Sequence, residues 1–169
     1  EVAMAVENGA DEVDIVLNVG RMLTGEYDEA ANEVEVIRTE MDDDVVLKVI
    51  IESGALKTPE LIRKASLLSM LAGADFVKTS TGKIDVAATP EAAVVMCHAI
   101  RDYYDKTGRK VGFKAAGGVR TAEDAALYYT IVEEILGKEW LTTELFRIGA
   151  SSAANNILSA IEGSEIKYF

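Results

Sequence analysis

The chain has 169 residues with 17 Lys plus Arg against 29 Asp plus Glu, a formal net charge of −12. Such an acidic balance argues against a nucleic-acid or anionic-membrane partner, because either surface needs clustered cations to displace counterions. Apolar residues are 49% and charged residues 27%, a globular composition that excludes disorder and can bury a core as one domain.

One Cys allows no internal disulfide. No apolar run approaches the roughly 20 residues of a membrane-spanning helix, and Glu1 to Ala5 lacks the basic and apolar blocks of a signal peptide. A cytoplasmic protein is the expectation. The sequence opens without Met and inside an amphipathic pattern, which reads as a fragment.

In chain order the pattern predicts a helix over 1–8, then strands at 12–17, 45–52, 75–80, 110–115 and 145–149. Helices over 26–41, 59–72, 90–107, 121–136 and 152–162 follow the strands in turn. The strands are rich in Val, Ile, Leu and Phe, as parallel strands covered by helices are. Thr58 before Pro59 and Thr89 before Pro90 read as N-caps with Pro at the first helical position. Thr121 reads as a third cap, with Glu123 and Asp124 in the first turn. Gly9, Gly73, Gly108 and Gly137 stand where helices end. Five βα units result, in a single domain over 1–169 with a short tail at 164–169. Composition leaves two architectures open: a doubly wound sheet, or part of an eight-unit (β/α)₈ TIM barrel.

Three of these strands carry a lysine. Lys78 in Phe76-Val77-Lys78-Thr79-Ser80 and Lys114 in Gly112-Phe113-Lys114-Ala115-Ala116 both lie near the carboxyl ends of their strands, where α/β proteins place active sites. A buried ammonium is costly unless paired or functional, so each lysine either reaches solvent at a strand end or serves chemistry. Brought together they disfavour each other's charge, and at least one should lose affinity for its proton. A neutral amine is what a Schiff-base nucleophile requires.

Strand alternation puts Glu12 and Asp14 on one face and Val13 and Ile15 on the other. Asp14 reads as a proton carrier beside the lysines or as a solvated acid at the strand start. Lys48 reads as a structural cation paired with Asp14 or Glu52. Three segments suit a phosphate: Thr81-Gly82-Lys83, Ala116-Gly117-Gly118-Val119-Arg120, and Gly149-Ala150-Ser151-Ser152 leading into the last helix.

Other motifs fail. Thr81-Gly82-Lys83 is no P-loop, because Val77 and Ile84 occupy positions that need Gly and Ser or Thr. Cys97 and His98 have no further Cys or His to complete a zinc site, and read as a packed and a surface residue. Tyr103-Tyr104 and Tyr128-Tyr129 read as core or rim. The run Met41-Asp42-Asp43-Asp44 reads as a solvated turn.

Taken in order, Gly-Ala-Asp-Glu-Val-Asp, Leu-Lys-Val-Ile-Ile-Glu, Phe-Val-Lys-Thr-Ser-Thr-Gly-Lys, Gly-Phe-Lys-Ala-Ala-Gly-Gly-Val-Arg and Phe-Arg-Ile-Gly-Ala-Ser-Ser resemble the deoxyribose-phosphate aldolase family of class I aldolases with the (β/α)₈ fold. The resemblance runs from about Asn8 to Gly163. It implies reversible cleavage of 2-deoxyribose 5-phosphate to glyceraldehyde 3-phosphate and acetaldehyde, without metal or cofactor. It also implies Lys78 as the Schiff-base lysine, Lys114 as the second lysine that perturbs it, and Asp14 in proton transfer. Gly82, Lys83, Gly117, Gly118, Arg120, Ser151 and Ser152 then hold the substrate phosphate, with Lys48 and Thr81 in support. Tyr168, penultimate in the chain, is an imperfect match to a C-terminal tyrosine used in proton exchange.

Family members carry three further βα units before the position of Glu1. A chain lacking them would leave the strands of Asp14 and Arg147 as open edges, prone to homo-oligomeric pairing, and would encode the chemistry without a complete pocket. Two rival readings are another phosphate-binding barrel enzyme whose lysines hold phosphate, and an inactive fragment that forms an assembly interface.

Overall fold

The structure is a computed structural model that describes residues 1–151 and 153–168. Ser152, one of the residues expected at the phosphate, lies outside the described residues. The elements in order are α1 (Val2–Glu7), β1 (Glu12–Val16), α2 (Val19–Thr24), α3 (Tyr27–Thr39), β2 (Val46–Ile50), α4 (Ser53–Leu56), α5 (Pro59–Leu71), β3 (Phe76–Lys78), α6 (Pro90–Thr107), β4 (Gly112–Ala116), α7 (Ala122–Leu136), a 3₁₀ turn (Lys138–Trp140), β5 (Phe146–Gly149) and α8 (Ala153–Glu162).

Local chemistry sets the helix ends. Thr58 and Thr89 accept from the backbone N–H groups of Leu61 and Ala92, and Pro opens both helices. Thr121 and Asp124 form a reciprocal capping box on α7. Two short helices, α2 and α4, were not expected; at 6 and 4 residues neither is long enough to show a helical period. The run at 41–44 is partly misread as a solvated turn. Asp42, Asp43 and Asp44 are exposed, but Met41 is buried in the core, because its unbranched side chain fills space beneath the turn.

All five strands pair in parallel in the order β1-β2-β3-β4-β5. That order resolves the architecture. A doubly wound sheet reverses direction at a switch point, whereas successive right-handed βα units that never reverse produce the arc of a barrel. Val13, Leu47, Val49, Val77, Phe113 and Ala115 belong to the hydrophobic core. The alternate residues Glu12, Asp14, Lys48, Lys78, Lys114 and Arg147 point to the concave side, where they pair with one another. The lysines interrupt strands that are otherwise apolar on both faces, with Ile50 and Phe76 buried at positions of the same parity.

The curvature is direct in the contacts. Arg147 Nη2 on the last strand lies 2.9 Å from Glu12 Oε1 on the first, a distance that a flat five-stranded sheet, with strands ~4.8 Å apart, could not provide. Trp140 is fully buried on the helix side and donates from Nε1 to the Val111 carbonyl at 2.9 Å. Cys97 is buried and His98 exposed. Tyr103 and Tyr128 are buried, while Tyr129 is exposed. No helix among the described residues is long and apolar enough to cross a membrane.

Candidate active site

The concave face gathers four cations and two carboxylates. The β3–β4 register sets Lys78 beside Lys114, and the β4–β5 register sets Lys114 beside Arg147. From β1, Asp14 reaches across the arc: its Oδ2 accepts from Lys78 Nζ at 2.6 Å and from Lys114 Nζ at 2.7 Å. Its other oxygen lies 3.3 Å from Lys48 Nζ. Lys48 is almost wholly buried and donates to Glu12 Oε2 at 2.6 Å. Of its two expected partners, Asp14 is correct and Glu52 is not.

Burial tends to raise the Asp14 pKa, but the hydrogen bonds and charges of Lys114 and Lys78 outweigh it and hold the carboxyl at about 2. Burial is also the largest influence on Lys114. It pulls the ammonium below the usual lysine range, with Asp14 resisting and the Lys78 and Lys48 charges adding to the fall. Glu12 is held below the usual carboxylate range, the Lys48 hydrogen bond outweighing burial and Arg147 adding to it. Four cations against two carboxylates leave this pocket positive within an acidic protein, which attracts an anionic substrate. Gly149 allows the packing: a Cβ there would stand 2.9 Å from Ala116 Cβ and 3.4 Å from Lys114 Cε.

The loops beyond the strands also converge. The two faces Gly82 and Gly117 turn to each other are bare, since a Cβ on Gly117 would lie 3.0 Å from Gly82 Cα. The N–H of Gly117 donates to the Gly149 carbonyl at 3.4 Å, so the segment leading to Ser151 adjoins the other two. Lys83, Gly118, Arg120 and Ser151 are exposed around this junction. The Arg120 backbone is fixed from both sides, its N–H donating to Asp124 Oδ2 and its carbonyl accepting from Asn156 Nδ2.

Besides Glu12, three residues carry weight here that the sequence did not assign to the site. Arg147 joins the cluster from the last strand. Thr79 and Ser80, both fully buried, donate to the Ala116 carbonyl at 3.0 and 2.6 Å and staple the end of β3 to β4. Hydroxyls directly after a strand lysine were the available signal. Tyr168 is 76% exposed, with its backbone N–H donating to Asn155 Oδ1.

The chain matches the DeoC/LacD family aldolase model over residues 1–154. It is similar to deoxyribose-phosphate aldolase of Mus musculus, at 49% identity over 93% of this chain and 49% of the relative. The corresponding Homo sapiens protein is 47% identical over the same shares. The chain thus spans about half the length of the curated relatives it matches. Among solved structures, the tetrameric deoxyribose phosphate aldolase of Aeropyrum pernix superposes with a TM-score of 0.68 at 26% identity, covering 95% of this chain and 59% of that one. A family match over almost the whole chain, on a sheet whose strand order is that of a barrel arc, means that this protein belongs to the DeoC/LacD aldolase family.

Proposed function

We propose that this chain carries the catalytic segment of a class I aldolase that reversibly cleaves 2-deoxy-D-ribose 5-phosphate to D-glyceraldehyde 3-phosphate and acetaldehyde. The observation that carries the reading is one carboxylate oxygen shared by lysines of two adjacent strands, Asp14 Oδ2 between Lys78 and Lys114. An amine nucleophile must shed a proton, and this arrangement supplies both an acceptor and a second cation that disfavours the charge.

In this reading the Lys78 amine attacks C1 of the open-chain sugar and gives a carbinolamine. Asp14 shuttles the protons as the carbinolamine hydroxyl leaves as water. The resulting iminium draws the electron pair of the C2–C3 bond when the 3-hydroxyl proton is removed. Glyceraldehyde 3-phosphate departs, and an enamine remains on Lys78. Protonation at C2 and hydrolysis of the iminium release acetaldehyde and restore the amine. Lys114 keeps the local charge high, and Lys48 holds Asp14 from its other oxygen.

The geometry around Asp14 treats Lys78 and Lys114 alike. The motif resemblance is what selects Lys78 as nucleophile. Gly82, Lys83, Gly117, Gly118, Arg120 and Ser151 receive the phosphate, with Thr81 shaping the first loop. A homo-oligomer of a single barrel-type domain is the assembly this reading takes, supported by the tetramer of the Aeropyrum pernix relative.

Incubation with 2-deoxyribose 5-phosphate and separate detection of both aldehyde products tests the activity. Release of the two in equal amounts supports the reading. Phosphate binding without aldehyde release or any covalent adduct would favour a barrel enzyme whose lysines hold phosphate.

A further inference from the structure

Glu52 stands one residue apart from every role given so far. It follows β2, is 6% exposed, and holds a left-handed backbone with φ 54°, a conformation that is strained for a non-glycine residue. Its carboxylate faces no lysine. Oε1 accepts from the Thr81 backbone N–H at 3.1 Å, and Oε2 accepts from Thr81 Oγ1 at 2.6 Å. Thr81 Oγ1 in turn accepts from the Lys83 N–H at 3.1 Å. A strained, buried acid therefore fixes both the backbone and the side chain of one loop residue, and through it the next cation.

The connection continues beyond that loop. Gly82 and Gly117 have φ values of 75° and 84°, and their backbones meet with no room for a side chain between them. The Ala88 N–H donates to the Gly117 carbonyl at 3.2 Å, and the Gly117 N–H donates to that of Gly149. Whatever sets the position of Thr81 thus sets the spacing of the 81–83 loop against the segments after β4 and β5. The Glu52 side chain makes no such bond to Asp14, Lys78 or Lys114, whose mutual contacts lie inside the arc; only its backbone neighbours Ile51 and Ser53 donate, to the carbonyls of Lys78 and Thr79.

We infer that Glu52 is a positioning residue for substrate selection: by holding Thr81 it keeps the three loops at the spacing that admits a phosphorylated sugar, without taking part in Schiff-base formation. The inference rests on the aldolase reading, which it extends to a specificity determinant. Glu52 offers two acceptor oxygens to two donors on Thr81. A glutamine of the same size can offer only one, so the loop loses a charge-assisted bond while the volume is kept.

The test compares wild type with Glu52→Gln by borohydride trapping on three compounds: 2-deoxyribose 5-phosphate, 2-deoxyribose and acetaldehyde. The half-saturating concentration of the phosphorylated sugar should rise about tenfold or more, with those of the two unphosphorylated compounds unchanged. Thr81→Val removes the other half of the bond and should raise the phosphorylated sugar's value likewise, and Thr81→Ser should restore it. An equal effect on all three compounds, or none on any, would overturn the inference.

Calorimetric titration with inorganic phosphate separates the two readings, since it needs no covalent chemistry. If wild type traps no carbonyl compound, the aldolase reading fails. The loop claim is then decided by whether Glu52→Gln weakens phosphate binding about tenfold or leaves it unchanged.

Discussion

Asp75 and Asp14 each sit between cations, and only one of the two suits covalent chemistry. At the amino-terminal end of β3, Asp75 lies between Arg38, 3.2 Å from Oδ2, and Arg109, 2.8 Å from Oδ1. At the other end of the strands, Asp14 lies between Lys78 and Lys114, both on Oδ2. The Asp75 group is saturated: each arginine takes its own oxygen, Leu47 N–H donates to Oδ2, and the guanidinium groups donate onward to the carbonyls of Val45, Asp42, Met70 and Ala74. Arginine forks stay charged and tie backbone segments together. The Asp14 group crowds two ammonium groups onto one oxygen in a partly buried pocket, and lysine, unlike arginine, can give up its proton there. The same charge pattern is a clasp at one end and a reactive centre at the other because the cation type and the sharing of oxygens differ.

Substitutions at the two ends should separate sharply. Lys78→Met removes the proposed nucleophile and should cut turnover of 2-deoxyribose 5-phosphate on the order of 10³-fold or more, measured by aldehyde release with far-UV circular dichroism unchanged. Lys114→Arg keeps the charge but replaces the compact ammonium that shares Asp14 Oδ2 with Lys78 by a planar guanidinium fork. A loss of about 10²-fold is expected, and full activity in this variant would show that only charge is needed.

Acid unfolding provides the third contrast. The folded-state pKa of Asp14, about 2, lies below its ordinary 3.8, so its ionised form stabilises the fold. That contribution is complete above pH ~4 and is lost as pH falls towards 2, on the order of 2 kcal/mol at most. Asp14→Asn should flatten this part of the stability profile, followed by chemical denaturation at several pH values. The smallest effect is expected for Asp75→Asn, which weakens the arginine clasp and should lower stability by about 1–2 kcal/mol while leaving adduct formation as in wild type. A loss of adduct in that variant would erase the distinction between the two ends.

Much of this arrangement was legible in the residues. The βα alternation, the Thr-Pro helix starts and Lys78 at the end of its strand all follow local rules, and Glu12 with Asp14 on one face follows from the two-residue strand period. Arg147 was not, because its pairing with Glu12 spans 135 positions and depends on how far the sheet curls, which no local pattern encodes. Glu52 is, beside Asp14, one of two partners the sequence offers Lys48, four residues earlier in the same segment. The left-handed backbone after β2 turns it instead towards Thr81. Met41 was grouped with the acids beside it, although a single apolar residue in a polar run can still fill the core.

The most direct test of the central claim is to trap the protein with acetaldehyde and borohydride and locate the adduct by peptide mass mapping. A single reduced ethyl group on Lys78 is the predicted result. Modification confined to Lys114, or spread over surface lysines with Lys78 untouched, would contradict the assignment of Lys78 as the nucleophile.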